Sequence, residues 1–340
     1  MMKPALLLCT AVALSASAMG AEIEWVHVGD PNNPADPAGR GSVPYAYQIA
    51  KGEVTVEQYV EFLNAVAAHD PHELWNPKMG VTEYRITEPV FAGRVPPRMP
   101  GCIRRLGDPG SYRYEAAEGW EKKPVVYVSF LDAMRFANWL HHGKGSGETE
   151  TGAYDISKAG GLAAHGPEAT VWVTTEDEWI KAAYYQPQEK GGPEGGYWLY
   201  PTRSQETPRV QEPGSTETNL ANFFNLRLPG SLFADYTRIA ATGSYPNSPS
   251  YYGTLDQGGN VSEWTEAVVF QSQRPIRGGS VGDAYAVLQR VTRISSRPEK
   301  EYPDTGFRMA RRPPSPAGPA AQSALRKASQ GDSNPLPSNR

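Results

Sequence analysis

The chain has 340 residues, 39% hydrophobic and 21% charged, so it carries enough apolar side chain to bury a sizeable core. Its net charge is only −4, and the pair Arg104-Arg105 is too short to make a basic surface, which argues against nucleic-acid binding. Glycine (34) and proline (31) favour turns over long helices, while 8 tryptophans and 18 tyrosines offer large surfaces for holding such a chain together.

The N-terminus reads as a signal peptide over residues 1–20. Met1-Met2-Lys3 is a short positive start, Ala5 to Leu14 an apolar run, and Ser15 to Ala21 a small-residue cleavage region. Secretion or periplasmic export is therefore expected, and Cys9 leaves with the peptide. No later segment has the ~18 apolar residues needed to span a bilayer. Cys102 is then the one remaining cysteine, which excludes an intramolecular disulfide and points to an inert, partly buried thiol.

Glu22 to Val28 alternates as a strand does, a Pro/Asn/Gly turn follows, and Tyr45 to Ile49 reads as a second strand. Three helices are predicted, each opened by a capping pair: Thr55 with Gln58, Ser129 with Asp132, Thr175 with Glu178. Tyr59, Phe62, Leu63 and Val66 form the buried stripe of the first, and Phe130, Ala133, Met134 and Ala137 that of the second. His69-Asp70-Pro71-His72-Glu73 reads as a polar loop leaving the first helix, because two histidines do not make a site of three or four ligands. His141-His142 closes the second helix, where cationic groups suit the helix dipole. Residues 186–218 read as surface loops. The Pro/Ser/Ala-rich stretch 313–340 reads as a disordered tail, leaving one domain over 22–312.

Six segments in order carry a resemblance. They are Glu53-Val54-Thr55-Val56-Glu57-Gln58-Tyr59, Pro124 through Trp139, Val173-Thr174-Thr175-Glu176-Asp177-Glu178-Trp179, Gly258-Gly259-Asn260-Val261-Ser262-Glu263-Trp264, Arg277-Gly278-Gly279-Ser280 and Gly306-Phe307-Arg308. Together they resemble the formylglycine-generating enzyme, or sulfatase-modifying factor, family. The resemblance implies an α+β fold related to C-type lectin-like domains, with few short helices and strands and long metal-bound loops.

Family enzymes oxidise a sulfatase cysteine to formylglycine with oxygen and copper(I), held by two thiolates three and eight residues after the Arg-Gly-Gly-Ser serine. Soft ligands select Cu(I). Here those positions are Asp283 and Leu288, so copper and the family reaction are not expected. Other relatives, sulfoxide synthases of thiol-histidine biosynthesis, draw iron ligands from a histidine-rich helical bundle that this chain lacks. Calcium is the structural metal the resemblance implies. One site would use Asp256, the carbonyls of Gly259 and Val261, and Glu263. A second would use Asn222, the Phe223 carbonyl, Asp235 and a carbonyl near Thr237. Asn260-Val261-Ser262 also matches a glycosylation sequon, but in this motif Asn260 is expected to be buried and bonded to backbone. Two functions follow: a calcium-stabilised, non-catalytic binding or accessory module for a protein or glycan ligand, or an oxidoreductase of the formylglycine-generating/non-heme-iron kind acting through an altered metal site at Asp283.

Overall fold

The computed structural model describes residues 21–80, 101–224 and 236–314. The predicted signal peptide, Asp235 and the tail from residue 315 onward lie outside the described residues. Among these no helix is long and apolar enough to cross a membrane.

The predicted helices form where expected: α1 (Val56–Val66), α2 (Phe130–His141) and, after the single-turn α3 (Ile156–Ala159), α4 (Glu176–Tyr184). Thr55, Ser129 and Thr175 each accept from the backbone amide three residues on. Gln58, Asp132 and Glu178 reach back to the cap amide, so two free donors are satisfied at each start. Tyr59, Phe62 and Leu63 of α1 are buried as predicted, with Val66 half-buried. Phe62 meets Phe136 of α2 edge-on at 5.5 Å between ring centres, and Phe136 meets Phe307 at 5.4 Å.

Three antiparallel or mixed sheets carry the remainder. The first runs β1 (Trp25–Val28), β2 (Tyr47–Ala50), β10 (Met309–Arg311), β5 (Val171–Val173), all antiparallel. The second is a two-stranded ribbon of β3 (Ile103–Leu106) and β4 (Arg113–Ala116), packed on α1. The third runs β8 (Ile294–Ser296), β7 (Arg274–Arg277), β6 (Ser262–Trp264), β9 (Thr305–Phe307), with β6 and β9 parallel. A single residue, Arg308, separates β9 from β10, so one extended segment serves both four-stranded sheets.

The core between these elements is aromatic. Trp139, Trp179 and Trp264 are buried, and the Trp264 indole donates to the Val128 carbonyl at 3.0 Å. Cys102 is also fully buried, and burial pushes its thiol up to about 12, the inert state expected of it.

Candidate functional site

Ser280 ends the Arg-Gly-Gly-Ser turn after β7 and is fully buried. Asp283 turns back onto it. The Asp283 carboxylate accepts the Ser280 amide at 2.9 Å and lies 2.9 Å from the Ser280 hydroxyl. A second carboxyl, Asp304, approaches the same hydroxyl at 2.7 Å. A serine hydroxyl has one hydrogen to give, so it serves one of the two carboxyls at a time. Burial, with repulsion from Asp283, pushes Asp304 up to about 6. Leu288, at the other thiolate position, is fully buried against Tyr200, Ala221 and Phe223. Neither position presents a soft donor, and the arrangement locks a turn where a copper pair would need two thiolates.

A larger polar cluster lies where the sheets meet. The Arg308 guanidinium donates to the carbonyls of Ala50 (2.9 Å), Lys51 (2.7 Å) and Leu255 (2.8 Å), and to both oxygens of Glu263 (2.8 and 3.0 Å). Trp179 adds an indole donor to Glu263 at 2.7 Å. Asp256, held at φ 62°, accepts the Gly243 amide at 2.6 Å. Glu53 is buried beside them, accepting from Asn260 (3.0 Å) and Thr242 (3.0 Å). Burial, then the nearby Asp256, pushes Glu53 up to about 8. Burial, opposed by the Gly243 amide and Arg308, leaves Asp256 at about 6. Three enclosed carboxyls thus face one guanidinium.

Of the residues named for calcium, Asp256, Gly259, Val261 and Glu263 do share this turn. Gly259 has φ 84°, and a side chain there would come within 2.3 Å of the Asn222 carbonyl, so the two predicted sets adjoin. The Asn222 amide also donates to Asn260 Oδ1 at 3.2 Å and to the Arg238 carbonyl at 2.8 Å, next to Thr237. Asn260 is buried, with its side chain on the Ala240 backbone, which fits the reading that set its sequon aside. Glu263 accepts from Arg308 and Trp179, whose three N–H groups take most of its acceptor directions. Among the described residues no three His, Cys, Asp or Glu side chains converge as a metal-binding group. A calcium site built largely from carbonyls needs no such group.

Sequence reading missed Asp304, Glu53 as a buried charge, and the role of Arg308. Arg308 had a signal, because it closes the Gly306-Phe307-Arg308 segment, and Glu53 opens the Glu53–Tyr59 segment; Asp304 is a single carboxylate without local pattern.

A family model described as the sulfatase-modifying factor enzyme 1-like domain matches residues 16–313. No curated protein matches the chain. Among solved structures, CarF is similar at 21% identity and TM-score 0.49, over 86% of this chain and 99% of that one. Treponema denticola variable protein 1 is similar at 18% and 0.44, over 86% and 96%. PvdO from Pseudomonas aeruginosa is similar at 18% and 0.43, over 86% and 92%.

Proposed function

The chain belongs to the sulfatase-modifying factor enzyme 1-like family, and from that premise we propose that it is an exported, calcium-stabilised, non-catalytic binding or accessory module for a protein or glycan ligand. The observation that carries the non-catalytic reading is the pair at the thiolate positions. Asp283 is tied to a buried serine, and Leu288 is a core residue. The signal-like N-terminus supports export.

Support for calcium comes from charge. Glu53, Asp256 and Glu263 lie together with Arg308 as the cation paired among them in the described residues, and a divalent cation would offset remaining negative charge. Asp256 and the carbonyls of Gly259 and Val261 fit such a cation. In the second set Asn222 and the carbonyls of Phe223 and Thr237 are the donors within the described residues. One ion would brace the turn 256–263, and the other would tie Asn222 and Phe223 to Thr237. Glu263 serves instead as the counter-ion of Arg308.

The test of the catalytic question is direct. The purified protein is incubated with Cu(I), oxygen and a sulfatase-type cysteine peptide, and aldehyde is sought by mass. The expected result is no product above the no-protein control; turnover would overturn the reading. The second reading, an altered metal centre, has one observation in its favour: the convergence of Asp283 and Asp304 on Ser280. Metal analysis separates the two. Calcium alone supports the binding module, whereas stoichiometric iron or copper supports the oxidoreductase.

A further inference from the structure

A cavity of about 460 Å³ opens between the first sheet and the residues Arg312 and Pro313 that follow it, sharing no residue with the Ser280 turn. Its volume lies within the ~300–1,000 Å³ typical of small-molecule sites. Tyr45, Ala46, Tyr47, His165, Trp172, Arg312 and Pro313 line it. Four of the seven carry aromatic rings. Tyr45 is 43% exposed, so its ring offers a surface at the mouth.

The polar groups behind the walls are already satisfied. Glu178 accepts from the Tyr45 hydroxyl (3.1 Å), the Trp172 indole (3.0 Å) and the Thr175 amide (2.9 Å). Glu266 accepts from the Tyr154 hydroxyl (2.5 Å) and from His165 Nδ1 (2.9 and 3.0 Å). The His165 ring also stacks on Trp172, with centres 4.7 Å apart and planes 10° apart. Its orientation is therefore fixed twice, by a carboxylate and by an indole. With Nδ1 committed to Glu266, Nε2 is left without a partner among the described residues.

The Arg312 guanidinium donates to the Pro167 carbonyl, and among the described residues most of its five donors are open. The groups with spare capacity at the cavity are thus His165 Nε2, a donor when the ring is protonated beside its carboxylate partner, and a guanidinium. A cationic ligand would meet both unfavourably, and a neutral one would leave the guanidinium unpaired. A carboxylate would take the guanidinium fork and the imidazole N–H together.

We propose that this cavity is a binding site for a small organic acid, with the carboxylate held by His165 Nε2 and Arg312 and a ring-sized body lying against Tyr45 and Tyr47. The charge state of His165 supports the assignment. Burial alone would lower its pKa, but the Glu266 hydrogen bond and charge, with a further contribution from Glu178, raise it against the opposing charge of Arg312. The imidazolium, which carries a hydrogen on Nε2, therefore persists to higher pH than in an ordinary histidine.

The probes are benzoate, glucuronate and benzylamine, titrated into the full chain by calorimetry. Benzoate or glucuronate should bind saturably, benzylamine should not, and the affinity should fall as pH rises through the His165 transition. Arg312→Ala and His165→Ala should each weaken binding about tenfold or more, about 1.4 kcal/mol. Benzoate binding alone marks an aromatic acid and glucuronate alone a sugar acid; either supports the site. If His165→Ala fails to fold because Glu266 loses its partner, Arg312→Ala at the rim still decides the matter. Absence of binding by both acids at millimolar concentration would overturn the proposal. So would binding unchanged by Arg312→Ala, or benzylamine binding as tightly as the acids. None of these outcomes depends on whether aldehyde is formed in the peptide assay, so the two tests fail independently.

Discussion

Glu263 and Arg308 are both wholly buried and bonded to each other, and a charge left alone at that depth has no water to replace its partner. Removing one member of such a pair costs about 3–5 kcal/mol. Glu263→Gln should therefore lower the melting temperature strongly, and by the same amount with chelator as with calcium. Asp256→Asn should behave in the opposite way: little change in chelator, but loss of the calcium-dependent gain. For a ligand bound only by the folded state that gain is about 2.7 kcal/mol at a hundredfold excess over Kd. Melts of both variants, with and without calcium, check the assignment. A calcium gain lost in Glu263→Gln and kept in Asp256→Asn would reverse the roles given to these two carboxylates. Tyr127 presents a different cost. It holds φ 58° while its ring is buried, a left-handed backbone that a bulky side chain adopts only when surrounding packing enforces it.

The helices are set by their first turns. Thr55→Ala removes one reciprocal pair and should cost about 1 kcal/mol. Thr175→Ala should cost more, because Thr175 also positions Glu178, whose carboxylate holds Tyr45 and Trp172. Denaturant midpoints of the two variants, compared with Ser129→Ala, would show the ranking; equal shifts for Thr55→Ala and Thr175→Ala would contradict it. These elements were legible in the sequence because a capping pair and an apolar stripe are local. The strands were legible only in part. Tyr45 to Ile49 was read as a strand that proves to be Tyr47–Ala50, and Glu22 to Val28 shortens to Trp25–Val28. Nothing near Met309–Arg311 announces that it pairs with residues more than 250 positions earlier, because three-residue strands have no period to detect. The candidate sites follow the same division. Asp256, Gly259, Val261 and Glu263 sit within one turn and could be grouped from their spacing in the family pattern. The His165–Glu266 contact joins residues 101 positions apart and has no sequence signature.

Across the whole molecule, enclosed carboxyls make stability depend on pH in an unusual direction. Glu53 is raised to about 8, and Asp132 and Asp304 to about 6, each chiefly by burial, against an ordinary carboxylate near 4. The folded state then holds more protons than the unfolded chain between these values, so stability falls as pH rises through that window. The melting temperature in chelator should drop from pH 5 to pH 8. Calcium, which favours the ionised forms of Glu53 and Asp256, should flatten the drop. A melting temperature that rises over this range without calcium would contradict the placement of these groups. Finally, β10 lies in the middle of the first sheet, between β2 and β5, and β9 closes the third. Neither sheet can complete itself until the last dozen described residues have been synthesised. Contacts of such long sequence separation make for slow folding. A nascent chain would emerge from the ribosome with its central strand still missing, and would stay unfolded until that strand arrives. A chain stopped at Asp304 should accordingly show no cooperative unfolding transition, although it keeps the four α-helices and eight of the ten strands found among the described residues.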